Sequence, residues 1–197
     1  FIPGEKLYHG AIQVTPFRNK EYIKKFSKNY ALGIDSKLAG SLGYIDPNIQ
    51  IKKQNFGIES PSMVSQGYLF NVGFGLSVHD ISFNAIANLS YKNLRYGVPA
   101  YEGDILFATS EVLGIEVKKD GASNGSVQVR TTITNQDNKV VLEYVRQVLV
   151  RATKGKTLDT QSSIQDQPDR IGLTESMMPL KFHSLPNKFN GKEVKSF

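Results

Sequence analysis

Hydrophobic positions along the chain change their period twice. Between residues 19 and 30, Tyr22, Ile23, Phe26 and Tyr30 recur at spacings of one, four and eight from the first, while Lys20, Lys24, Lys25 and Lys28 fall on other faces. This spacing predicts an amphipathic helix of about three turns. Residues 32–41 are short and Gly-punctuated, and residues 43–57, with Asp46-Pro47-Asn48 and Lys52-Lys53, read as a surface loop. From Ser60-Pro61 to about Val78 the string SPSMVSQGYLFNVGFGLSV carries almost no charge. Ser60 is a candidate N-cap, Pro61 suits the first helical position, and a helix apolar nearly all round must be buried. Gly67, Gly73 and Gly75 each cost such a helix about 1 kcal/mol relative to Ala, so the backbone is expected to meet a close neighbour there.

Beyond that helix the period falls to two. Residues 84–94 form a plausible strand, and 104–118 and 126–135 alternate and are rich in branched side chains. Residues 139–152 place Leu142, Tyr144, Val148 and Val150 on one face. Gln136-Asp137-Asn138 and the GASNG string at 121–125 supply turn chemistry between strands. One buried helix followed by long antiparallel strands is an α+β pattern, a sheet wrapped on a helix. Residues 153–197 show no sustained period, and their scattered apolar residues suggest an arm or a partly disordered tail.

Composition narrows the chemistry. The 24 Lys and Arg against 18 Asp and Glu give a net charge of +6, so an anionic partner is expected. The basic residues are dispersed with no aromatic-basic string, which argues against nucleic acid. The absence of Cys removes thiolate nucleophiles and Cys-bearing metal sites, and 3 His make a His-rich metal cluster unexpected. No metal or cofactor is expected. There is no apolar run of about 18 residues, and Phe1-Ile2-Pro3-Gly4 does not read as a charged leader, so a cytoplasmic location away from membranes is expected.

Several strings recur together in one known order. They are Ala87-Asn88-Leu89 with Tyr91, Leu94-Arg95-Tyr96, the run from Val98-Pro99 through Tyr101-Glu102-Gly103-Asp104 to Leu106, Ser110-Glu111-Val112-Leu113-Gly114, and Asn135-Gln136-Asp137. Together they resemble the MaoC-like dehydratases, which include the (R)-specific enoyl-CoA hydratases, and most of all the branch acting on mesaconyl-CoA-like or methylmalyl-CoA-like thioesters. Pro3-Gly4 and Val14-Thr15 match more weakly. The resemblance covers about three quarters of the chain and implies a hotdog domain at 1–152 with an unmatched extension at 153–197. It further implies an acyl-CoA thioester ligand and a homodimer, or a heterodimer with another hotdog chain.

Adding water across an enoyl-thioester requires a base for the water, an acid for the α-carbon and donors at the thioester oxygen. In the family that this chain resembles, an Asp and a His after the first helix hold the water, and N–H groups at the head of the buried helix receive the oxygen. Gln66 and Gly67 fit the second role. For the first, Lys28 stands at the Asp position and Gly33 at the His position, and only Asp35 of the motif is retained. Two functions follow: an acyl-CoA hydratase or dehydratase, or a non-catalytic hotdog subunit whose partner supplies the missing pair. A hotdog thioesterase ranks below both. Asp35 is the one candidate catalytic residue, against a plain role as a helix N-cap for residues 36–39. His79 with Asp80 reads as the end of the buried helix, His9 as a loop residue and His183 as part of the tail. Lys52-Lys53, Lys118-Lys119, Lys154 and Lys156 are solvated faces or an anion-attracting rim for the CoA phosphates.

Overall fold

The computed structural model describes residues 1–26, 30–117, 123–151 and 164–177. A six-stranded sheet in the order β1-β3-β4-β5-β2-β6 is built from β1 (Lys6–Gln13), β2 (Ala85–Tyr96), β3 (Ile105–Glu116), β4 (Asn124–Thr134), β5 (Val140–Arg151) and β6 (Ile171–Leu173). Every pairing is antiparallel except that of β2 with β6. The helices are α1 (Pro16–Phe26), α2 (Ala31–Ile34), α3 (Ser36–Ser41), α4 (Ile49–Phe56) and α5 (Gln66–Ser77), and α5 continues into a π-helical turn at Val78–Ser82. The four long strands lie within one or two residues of where the alternation puts them, and the sheet wraps α5 as a hotdog fold requires. Among the described residues no helix is long and apolar enough to cross a membrane.

The elements before the sheet depart from the sequence pattern. The first helix begins at Pro16, three residues ahead of the periodic run, with the Thr15 hydroxyl accepting from Arg18 N at 3.3 Å. Thr-Pro is N-cap and first-turn chemistry, and it overrides the later apolar onset. Residues 43–57 are not a surface loop throughout, because α4 occupies their second half and buries Lys52. Residues 61–65 are buried and extended, with Met63 bridged to Tyr101, so the central helix starts at Gln66 and Pro61 lies outside it. The opening residues, polar in composition, form β1, where a bulge between Tyr8 and Ala11 includes Gly10 at φ +87° and turns His9 inward.

Close approach of α5 to the sheet occurs at one of its glycines. A Cβ on Gly73 would lie 2.1 Å from Ile133 Cδ1, whereas one on Gly75 would meet nothing within 4 Å. Both positions gain about 1 kcal/mol of helix propensity from Ala, and only Gly73 adds an overlap. Gly73→Ala is therefore expected to unfold at lower urea than Gly75→Ala, by about 1–3 kcal/mol in stability, with Gly75→Ala at or above wild type.

Candidate functional site

Gln66 and Gly67 are the first two residues of α5, after the N-cap Ser65. Their N–H groups have no acceptor within the helix and sit at the positive end of its dipole. The extended approach to this helix head is held by two buried side chains. Asn19 of α1 donates to Met63 O and Glu102 Oε1, both at 3.1 Å, and accepts from Ser65 N at 3.2 Å. The second oxygen of Glu102 accepts from Ser62 N at 3.1 Å. Burial pushes the Glu102 carboxyl up, and the hydrogen bonds from Asn19 and Ser62, with Lys20 and Lys52, oppose that rise.

Tyrosines wall the helix head. The Tyr22 and Tyr68 rings are 5.3 Å apart, and the Tyr22 hydroxyl accepts from Asn71 Nδ2 at 2.9 Å. That hydroxyl oxygen lies 2.8 Å from where a Gly67 Cβ would stand, so a side chain there displaces the Tyr22 hydroxyl. Tyr96 donates to Gln66 O at 3.1 Å, and the Tyr30 hydroxyl reaches Val64 O at 3.5 Å. Burial pushes Tyr30 and Tyr96 up to about 12, so both stay protonated at neutral pH and act as donors, never as bases. Beside this wall, α1 and α2 leave an open groove with Ile23 and Ile34 as its apolar sides and Lys20 and Lys24 at its edge.

The described residues at the other predicted positions, Gly33 and Asp35, offer no free base. Gly33 is buried, and a Cβ there would stand 2.5 Å from Tyr30 Cδ1 and 2.6 Å from Ile23 Cδ1. The Tyr30 ring fills the space that a histidine side chain needs. Lys28 lies outside the described residues. Asp35 is exposed, and its Oδ1 accepts from Lys37 N at 2.9 Å and Leu38 N at 3.0 Å, an N-cap for α3. Glu102 has both oxygens engaged. The helix head therefore offers donors for an oxyanion and, among the described residues, no free base beside them.

The histidines and lysines fall elsewhere. His9 is no loop residue, because the β1 bulge turns it inward to meet Asp80 at 2.6 Å and Ser110 at 2.8 Å, at the opposite end of α5. His79 projects into solvent instead of covering the helix end. Lys52 is not part of a solvated rim: it is buried between Asp46 at 2.7 Å and Asp104 at 2.5 Å, and it pins α4 to the turn entering β3. Lys53 is exposed and pairs with Glu59. His183, Lys118, Lys119, Lys154 and Lys156 lie outside the described residues. Among the described residues no group of three His, Asp or Glu is placed to hold a metal.

Comparison with known proteins fits this anatomy. The chain is 40% identical over 126 residues to a beta-methylmalyl-CoA dehydratase of Chloroflexus aurantiacus, covering 64% of this chain and 35% of that protein. It is 49% identical over 82 residues to a mesaconyl-CoA hydratase of Cereibacter sphaeroides, covering 42% of this chain and 24% of that protein. The chain thus spans about a third or less of the curated relatives it matches. Among solved structures, a putative MaoC domain dehydratase from Chloroflexus aurantiacus superimposes with a TM-score of 0.72 at 32% identity, covering 87% of this chain and 44% of that one. A double hotdog protein of Mycobacterium tuberculosis shares the fold at 19% identity, with a TM-score of 0.65 and coverage of 80% and 44%. No protein-family model matches the chain.

The network under the helix head gives a pH-dependent expectation. A carboxyl whose folded pKa lies above its unfolded value weakens the fold as pH rises through that interval, and removing Asn19 raises the Glu102 value further. Asn19→Leu is expected to cost about 3 kcal/mol at pH 8 and clearly less at pH 4, where Glu102 is mostly protonated in both states. Urea unfolding at the two pH values measures this, and an equal loss at both removes Glu102 from the explanation.

Proposed function

This chain is a MaoC-like hotdog protein, and we propose that it serves the hydration or dehydration of acyl-CoA thioesters by receiving the thioester oxygen at the head of α5. The observation that carries this reading is the juxtaposition of the Gln66 and Gly67 N–H groups with neutral tyrosine hydroxyls. Water addition at the β-carbon drives negative charge onto the thioester oxygen, and donors fixed in place before the reaction stabilise that charge. The Lys20 and Lys24 edge of the neighbouring groove suits the phosphates of CoA.

The base for the water comes, in this proposal, from a second hotdog unit. Three observations support that division. Gly33 has no room for a histidine, and Asp35 is committed to capping α3. The relatives are more than twice as long as the matched stretch, which leaves them space for another unit of this size. Phe83, Ile86 and Leu89, with Val78, expose an apolar surface along the π-helical turn and β2. A second hotdog covering that surface dries it, and a heterologous unit supplies the acid and base that a second identical copy lacks. Asp35 then stays structural, Lys28 and Gly33 mark a motif given up, and the hotdog domain at 1–152 carries an extension whose described part, residues 164–177, lays β6 beside β2.

The 197-residue chain is expected to bind crotonyl-CoA and mesaconyl-CoA without consuming them, followed as enoyl-thioester absorbance. Gln66→Pro removes one N–H where proline fits a helix start, and it is expected to weaken binding by up to about tenfold with little change in stability. Turnover by the chain alone that Asp35→Ala abolishes overturns the division and makes Asp35 the base.

A further inference from the structure

Tyr96 stands at the last position of β2 and reaches the head of α5 from there. Its hydroxyl donates to Gln66 O at 3.1 Å, and its ring is buried in the cluster around the helix. Burial pushes the hydroxyl up to about 12, so the proton stays in place at neutral pH. The carbonyl that receives it belongs to the same peptide unit as the Gly67 N–H. A peptide unit is planar, so a bond that fixes the direction of its oxygen fixes the direction of its N–H as well. Hydrogen bonds in series also polarise one another, and a donor at the oxygen makes the N–H across the plane a stronger donor.

The two N–H groups at the helix head are unequal in this respect. The Gln66 N–H is backed by the Ser65 carbonyl, which accepts the helical bond from Leu69 N at 2.9 Å. The Gly67 N–H is backed by the Gln66 carbonyl, whose two lone pairs take the next helical bond and the Tyr96 hydroxyl. Tyr96 is in turn held from both edges of its strand. On one edge it pairs with Leu142 of β5; on the other it pairs with Leu173 of β6, and Thr174 N donates to Tyr96 O at 2.9 Å. The segment that carries β6 is anchored on either side of that strand. Before it, Gln165 exchanges two backbone bonds with the Gln128 side chain, at 2.8 and 3.1 Å; after it, Met177 is buried in the same cluster as the Tyr96 ring. A strand end without a neighbour frays, and a hydrogen bond carried by it is lost with it.

We propose that Tyr96 is a positioning residue for the thioester site, aiming the Gly67 N–H at the thioester oxygen through the Gln66–Gly67 peptide, and that residues 164–177 hold it in register for that task. The assignment rests on the thioester reading of the helix head and adds the residue that sets the stronger of its two donors.

Two readouts on the full chain test it: the infrared carbonyl stretch of bound crotonyl-CoA carrying an isotope-labelled carbonyl, and calorimetric titration with crotonyl-CoA and with its thioether S-but-2-enyl-CoA, which has no carbonyl oxygen. In the wild type the bound stretch is expected below its frequency in water. Tyr96→Phe keeps the ring in the core and the helical bond to the Gln66 carbonyl. It is expected to bind crotonyl-CoA about threefold more weakly and the thioether as before, with a smaller downshift of the stretch. Met177→Ala moves both readouts the same way, and Gln128→Ala, which releases Gln165, is the second variant should Met177→Ala not fold. An unchanged stretch in Tyr96→Phe, or an equal loss toward thioester and thioether, overturns the positioning role and leaves the thioester reading standing. A response to Tyr96→Phe with none to the release of residues 164–177 overturns the part given to that segment. A wild type that binds no crotonyl-CoA, or binds it without a downshift, overturns the thioester reading itself.

Discussion

A helix enclosed by a sheet has unpaired backbone groups only at its ends, and that constraint orders this molecule. Along its length α5 pairs every backbone group within itself, so the flank can be apolar and Gly73 can admit Ile133 against its backbone. Polarity is confined to the two ends. At the head, Asn19 accepts from Ser65 N and donates to Glu102, and Tyr96 donates to the Gln66 carbonyl. At the tail, the π-helical turn carries Asp80 to His9 while Ser77 reaches Arg146. Both polar groupings are therefore consequences of burying one helix, and the distance between them is set by its length.

The head of α5 sets backbone donors apart from titratable side chains. Stabilising an oxyanion needs only fixed donors, which the start of any buried helix provides. Activating water needs a titratable side chain held at a defined point. Tyr30, Gly33 and Ile23 close on one another, and burial keeps the tyrosine protonated.

Period-two alternation made the long strands legible, because each has one face on the core. The head of the helix was legible through the residues of α5 itself, although its start lay five residues beyond the apparent Ser-Pro signal. What escaped was polar and buried. Asn19 looked like a helix boundary, and only the Thr15-Pro16 start places it inside α1 facing Glu102. His9 took its inward direction from a bulge that no local pattern announces. Lys52 looked solvated because its partners, Asp46 and Asp104, are far apart in sequence. Arg146 was visible in principle: it falls between Tyr144 and Val148 on the inward face of β5, where an alternating pattern marks a charge as out of place.

The packing at Gly33 bears on how this chain can change with time. A side chain placed at residue 33 while Tyr30 is present overlaps two neighbours at once. Shrinking Tyr30 first leaves a void in a packed interior and weakens the fold before anything is gained. Each single step toward a larger side chain at that position is therefore penalised, and only a double change crosses the gap. A side chain at residue 33 and a smaller residue 30 therefore have to arrive together.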